Sequence, residues 1–436
     1  MTFAEIRAAL ALGDTRFALA ELRGMLDTAE QAGRDVFVEW LALLERAGGL
    51  VVGPTFTAAV RGALRAPDDP SALVVLGRRL HAEALPRMAV TLLARAHRIA
   101  PADEEVLAAL VSALGADGQH ARACAVLRDA PALHGLSLSR RGVLARHALL
   151  AGDLDGPRQC LPELTRSADA AHQDLARVIG GMLARADAIA GVSALDGRDL
   201  RGWHFVVTGG LLLHVSPHGL AAGMNGRYAF VHDSYESCLD GLCRVALVLA
   251  MLGRPIERVF AAVDRASAIL GRAAALAFGC PLLDWPDGGT TAPGLVIAYD
   301  LDGLGPAARE ALRTHRPDQV LYCQGASWTE EPAFAADLVM RLHQFSRAPW
   351  DGHIGVDPVT GEAREVPPDD ADVMTLAARI AEAPRDPAAE ADLPSLVALV
   401  EAARMVDGDA AAGALRSVGP RRRAWCGSPV QSLRFG

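Results

Sequence analysis

The sequence predicts a multidomain chain of the α plus α/β class: an N-terminal helical-repeat stack, then a mostly parallel sheet covered by helices. Three observations carry this. Residues 1 to about 190 are rich in helix formers and almost without strand signals. The composition changes near Asp196. From residue 259 onward, short continuous apolar runs alternate with helical segments, the pattern of strands buried on both faces.

A chain of 436 residues is long enough for two or three cores. The divisions expected are 1–195 for the repeats, 196–345 for the α/β domain and 346–436 for a C-terminal helical extension packed on it. No apolar run approaches the roughly 18 residues that would span a bilayer. The start, MTFAEIRAAL, carries an acid early and has no basic segment followed by an apolar one. The expectation is a cytoplasmic protein without a membrane partner.

All 43 basic residues are arginine. Without lysine, a phosphate-binding loop ending in Lys and a Schiff-base Lys are both excluded. Residues 1–195 hold 21 Arg against 22 acids, a net of −1, and the remainder holds 22 Arg against 30 acids, a net of −8. An acidic second half argues against a duplex nucleic-acid partner, which requires a basic face. Arg421-Arg422-Arg423 is the one basic run and reads as a solvated tail. The seven cysteines include no C-x-x-C pair and read as free thiols serving as small hydrophobes.

Within the first half, residues 4 to 46 read as a helical hairpin. The sharpest segment runs from Pro70 to Pro101, with Leu73, Leu76, Gly77, Leu80, Ala89, Leu93 and Ala96 between. Two antiparallel helices approach closely only where Gly77, Ala89 and Ala96 leave room, and the leucines fill the gaps. A shift of 34 residues gives Leu107, Leu110, Leu114, Ala123, Leu127 and Ala130. A third unit, with Leu144, Ala148 and Leu161, is degenerate because Pro157 stands where a small helical residue belongs. A last helix carries Leu175, Val178, Ile179, Met182 and Ala186 on one face. The pattern resembles the tetratricopeptide repeat, with leucines in place of its usual aromatics. That resemblance implies a surface for an unidentified protein partner. The alternative is a brace that packs only on the rest of its own chain.

In the second half, FVVT-GG-LLLHV (205–215) reads as a hairpin turned at Gly209-Gly210, and Leu239 to Leu252 reads as a strongly apolar helix. Next come strand VFAAV (259–263), a helix ended by Gly279, strand LLDW (282–285), loop PDGGTTAPG (286–294) and strand LVIAY (295–299). Pro306 opens a further helix, and QVLYC (319–323) is a fourth strand. VPPDD leads into two Ala-rich helical segments. Ligands of such sheets bind beyond the carboxyl ends of the strands. Those ends are Asp264-Arg265, Asp300-Leu301-Asp302 and Gln324-Gly325.

The order VFAAV-DRASA, PLLDW, PDGGTTAPG, LVIAYDLDGLGP resembles the type I phosphoribosyltransferase fold over residues 239–325. A generic Rossmann-like sheet is the other reading. The resemblance implies that Asp300 and Asp302 bind ribose hydroxyls, that Asp264, Arg265 and Ser267 face a diphosphate, and that the turn at Gly303 holds a phosphate. Mg²⁺ belongs to that transferase reading; nothing else in the sequence calls for a cofactor. The turn Gly303-Leu304-Gly305-Pro306 departs from the pattern, with no hydroxyl and one N–H missing at Pro306. Asp300 and Asp302 also suit a helix cap and turn. Arg227, in a polar stretch with His204, His214, His218 and His232, is a further candidate anion contact. Trp285 reads as core.

The sequence therefore points first to an interaction scaffold or adaptor, coupled to an α/β module that senses a small ligand or is a degenerate transferase. A sugar phosphate or a nucleotide is the ligand class considered. The second expectation is an active Mg²⁺-dependent phosphoribosyl- or nucleotide-sugar-type transferase.

Overall fold

The computed structural model describes residues 2–25, 33–51, 53–83, 85–130, 137–286, 289–316, 318–329, 334–356, 361–385, 387–404, 415, 419–421 and 429–432. The chain divides into two compact units, Met1–Ala176 and Arg177–Gly436.

The first unit is helical. Among the described residues three helices, α1 (Phe3–Ala11), α2 (Thr15–Gly24) and α3 (Arg34–Val51), occupy the stretch read as a single hairpin. Gly13 adopts φ +80° between the first two, and that turn splits the segment. After α4 (Pro54–Arg65) come α5 (Pro70–Ala82), α6 (Pro86–Ile99), α7 (Glu104–Ala116), α8 (His120–Asp129), α9 (Leu138–Leu150) and α10 (Asp155–Arg166), and α11 (Ala170–Ile189) spans the boundary between the units. Helices α5, α7 and α9 are each 13 residues long. Their N-caps, Asp69, Asp103 and Ser137, are spaced by 34 (103 − 69 and 137 − 103), and each accepts a backbone N–H of the first turn. The close approach expected at Gly77 is present: a Cβ there would stand 2.7 Å from Leu93 Cγ on α6. Trp40, Phe37, Phe56, Leu41 and Leu44 anchor the core towards the N-terminus.

The second unit is built on a seven-stranded sheet whose pairings are all parallel. Its strands are β1 (Leu211–Leu212), β2 (Tyr228–His232), β3 (Val259–Ala261), β4 (Leu282–Asp284), β5 (Gly294–Asp300), β6 (Gln319–Ser327) and β7 (Leu338–Arg347). The order is β1-β7-β6-β5-β3-β4, with β2 also paired to β7. Helices α12 (Leu200–Thr208), α13 (Tyr235–Met251), α14 (Arg265–Phe278) and α15 (Pro306–Leu312) connect or precede the strands. A two-stranded antiparallel ribbon, β8 (His353–Val356) with β9 (Ala363–Val366), and helices α16 (Val373–Ala381) and α17 (Leu393–Arg404) follow.

Three expectations are corrected here, and one strand was not expected. Residues 205–208 are not a hairpin strand but the last turn of α12, which Gly209 ends in the left-handed conformation at φ +74°. Every residue of α12 is buried, so the helix shows no polar face and its apolar run mimics a strand. The C-terminal extension is not wholly helical, since it begins with the end of β7 and the ribbon. Strand β7 itself, LVMRLHQFSR, gave no expected element because charged and polar side chains interrupt its apolar run. Arg421 is not solvated: it is 7% exposed and lies 2.6 Å from Asp337. Arg422 and Arg423 lie outside the described residues.

Candidate functional site at the strand ends

Strand β3 leads through α14 outward to β4, whereas β5 leads through α15 the opposite way to β6. The crevice between the carboxyl ends of β3 and β5 is therefore the topological switch point, where open α/β sheets hold ligands. Asp264 follows β3 and Asp300 ends β5, so both expected acids stand there.

Asp264 is the N-cap of α14, and its Oδ1 accepts the Ser267 N–H at 2.8 Å. Its Oδ2 is buried without a hydrogen-bond partner. Arg265 is exposed and donates from Nη2 to the carbonyls of Asp369 and Ala371, both at 3.0 Å. Ser267 is fully buried, and its Oγ accepts the Tyr299 N–H at 2.9 Å, joining α14 to β5. Asp302 is exposed and donates its N–H to Asp300 Oδ1 at 2.9 Å. Around Gly303, Leu301 and Leu304 are buried and the Leu304 N–H closes a turn on the Leu301 carbonyl. Arg227 belongs to a different set of contacts, donating to the Val430 carbonyl at 3.0 Å and lying 5.5 Å over the Trp328 ring. Trp285 is buried against Phe260. Loop residues 287 and 288 lie outside the described set.

Burial raises the Asp300 carboxyl to about 6; the Asp302 N–H opposes this, and the charges of Asp302 and Asp264 add to it. Its Oδ2 lies 3.8 Å from His343 Nε2. His343 reaches across from β7 because Gly325, paired with Asp300 in the β5–β6 register, has no side chain: a Cβ there would stand 2.7 Å from His343 Nε2. His343 is 2% exposed, and neither ring nitrogen has a hydrogen-bond partner. Burial, helped by the Arg341 charge, lowers its pKa to about 4, so the ring is neutral at pH 7.

Beneath this lies a closed polar network. Asp233 Oδ1 accepts from Arg341 Nη2 at 2.9 Å, and Oδ2 accepts from Tyr299 Oη at 3.0 Å and Gln324 Nε2 at 3.1 Å. Burial would raise the Asp233 carboxyl, but Arg341 and the hydrogen bonds hold it below the ordinary range. A second network converges on Asp392, which takes Arg244 at 2.9 Å, His214 at 3.2 Å and Arg201. Both are buried ion-pair networks that brace the fold.

The chemistry open to the site is narrow. The thiols of the six described cysteines are all pushed up, chiefly by burial, which disfavours the thiolate a nucleophile needs. Among the described residues no three His, Cys, Asp or Glu side chains are arranged to hold a metal ion. No described helix is long and apolar enough to cross a membrane. His343, Gly325, Gln324 and Arg341 were absent from the candidates drawn from sequence, apart from Gln324-Gly325 as a strand end. The GAS that follows β6's apolar run is the only local signal for Gly325. The chain matches no known protein-family model and no curated protein.

Proposed function

We propose that this protein is an adaptor, in which the helical repeats hold a protein partner and the α/β unit senses a small ligand at the switch point. The observation that carries the sensing half is the engagement of the phosphate-facing donors. The Asp264 carboxylate takes the first-turn Ser267 N–H of α14, and Arg265 donates to two backbone carbonyls. A transferase acting on a sugar diphosphate needs those groups free to face negative charge.

The partner half is supported by period and exposure. Val75, Ala109 and Val143 occupy the same position of α5, α7 and α9, 34 residues apart (109 − 75 and 143 − 109); Val75 and Val143 are 59% and 37% exposed, whereas Ala109 between them is buried. Exposed apolar side chains at the same position of two first helices suit a bound peptide or partner domain. This is the sense in which the unit is tetratricopeptide-like.

The test uses the intact chain as bait beside a Val75→Glu/Val143→Glu variant. A protein retained by the first and lost by the second supports the adaptor. Mg²⁺-dependent turnover of a phosphorylated sugar, abolished by Asp300→Asn, would replace it with the transferase.

A further inference from the structure

The switch point holds buried hydrogen-bonding atoms without partners. His343 is buried with both ring nitrogens unpartnered, and Asp264 Oδ2 is buried without a partner in the same crevice. Buried polar atoms in a folded protein are nearly always satisfied, so an orphaned set facing one crevice points to a ligand that completes it. The gap between His343 Nε2 and Asp300 Oδ2, 3.8 Å, is too long for a direct hydrogen bond. It is short enough for one oxygen atom to touch both. The Asp300 side chain is 27% exposed, so the gap opens to solvent on that side, with exposed Asp302 at its mouth.

The donor and acceptor inventory selects the bridging group. An ionised Asp300 only accepts, and a neutral imidazole presents one N–H and one lone pair. A hydroxyl can donate its one proton to Asp300 and at the same time accept from a His343 N–H. A phosphate oxygen accepts only, and it would meet Asp264, Asp300 and Asp302 with Arg265 held by two backbone carbonyls and Arg341 already paired with Asp233. An ammonium group donates only and leaves a His343 N–H unmet.

We propose that Asp300 and His343 clamp one hydroxyl of a neutral, phosphate-free polyol, and that Asp264 Oδ2 accepts a neighbouring hydroxyl of the same ligand. The proposal rests on the reading of the switch point as the sensing site, and it narrows the ligand class from sugar phosphates to uncharged polyhydroxylated compounds. Gly325 is the specificity-permitting position, since any side chain there displaces His343.

The experiment follows the His343 ring nitrogens of the intact, ¹⁵N-histidine-labelled chain by NMR at pH 7, with resonances assigned by His343→Gln. Ribitol and ribose 5-phosphate are titrated separately. The expected result is a saturable shift of the His343 signals with ribitol and none with ribose 5-phosphate. Asp300→Asn should weaken ribitol about tenfold or more, the usual loss for a hydrogen bond to a charged group. Asp264→Asn, which keeps a capping oxygen, should weaken it with the His343 shift retained. Ribose 5-phosphate binding that is lost in Asp300→Asn would overturn the proposal and leave the switch point a ligand site. No His343 response to either probe would overturn both. A ribitol response unchanged in Asp300→Asn would overturn the clamp.

Discussion

Acidification from pH 7 to pH 5 should selectively loosen the repeat unit around α7–α9. His120 on α8 and His147 on α9 are 1% and 5% exposed, and their Nδ1 atoms meet at 2.9 Å. That contact joins one N–H to one lone pair, so it suits two neutral rings, and a second proton would set two N–H groups head on. Burial, with the neighbouring His147 and Arg146 charges, lowers His120 to about 3; burial and Arg146 lower His147 to about 4. Both folded values lie below the ordinary 6.5 of an unfolded histidine. The stabilisation is therefore complete above about pH 6.5 and is lost as pH falls towards 4 and 3. As pH falls from 6.5 to 5 the unfolded chain goes from about half a proton to nearly one per ring, and the folded chain holds almost none. At about 1.4 kcal/mol per pH unit and proton, each ring costs about 2 kcal/mol and the pair about 4 kcal/mol. Hydrogen exchange with mass-spectrometric readout of peptides within 104–150, corrected for intrinsic exchange rates, measures this locally. His147→Gln should remove about half of the pH dependence. The reasoning fails if protection in these helices changes by less than about 1 kcal/mol between pH 7 and 5, or if the variant keeps the whole effect.

Three other outcomes are expected. Asp233→Asn strands the buried Arg341 charge and weakens two further hydrogen bonds, so the second unit should lose about 3–5 kcal/mol by urea unfolding, read through the tryptophans at 203, 285, 328 and 350. Gly77→Ala places a Cβ 2.7 Å from Leu93 Cγ, and the overpacking cost of about 1–3 kcal/mol should exceed the roughly 1 kcal/mol gained in helix propensity; a rise in unfolding midpoint would contradict it. Arg265→Ala removes two hydrogen bonds made by an exposed side chain and should cost less than about 1 kcal/mol, with circular dichroism melting as the check.

How far the molecule could be read from its sequence depended on the range of the interactions involved. The strands at 259–261, 294–300 and 319–327 were legible because parallel strands covered on both faces are short apolar runs with polar ends, and the edge strand at 282–284, although largely exposed, keeps a short apolar run. The close helix pair at 70–99 was legible because Gly77 and the leucines around it act within a few turns of each other. Asp264 and Asp300 were legible as strand-end acids for the same local reason. Where a signal was ambiguous, burial decided: residues 205–208 are β-rich in composition, yet Gly209 and the complete enclosure of α12 make them helical.

What the sequence by itself determined was thus the class of each unit, most of the strands and the two acids at the crevice. Only the tertiary structure decided which groups face those acids. His343 lies 43 residues beyond Asp300, on a strand whose apolar run is broken by charged and polar residues, and it arrives through the β5–β6–β7 order and the bare Cα of Gly325. Likewise Arg265 reads as an anion contact until the chain near Asp369 offers it carbonyls. The physical reason is that a side chain's partners are set by strand register and burial, which are properties of the assembled sheet and not of neighbours along the chain.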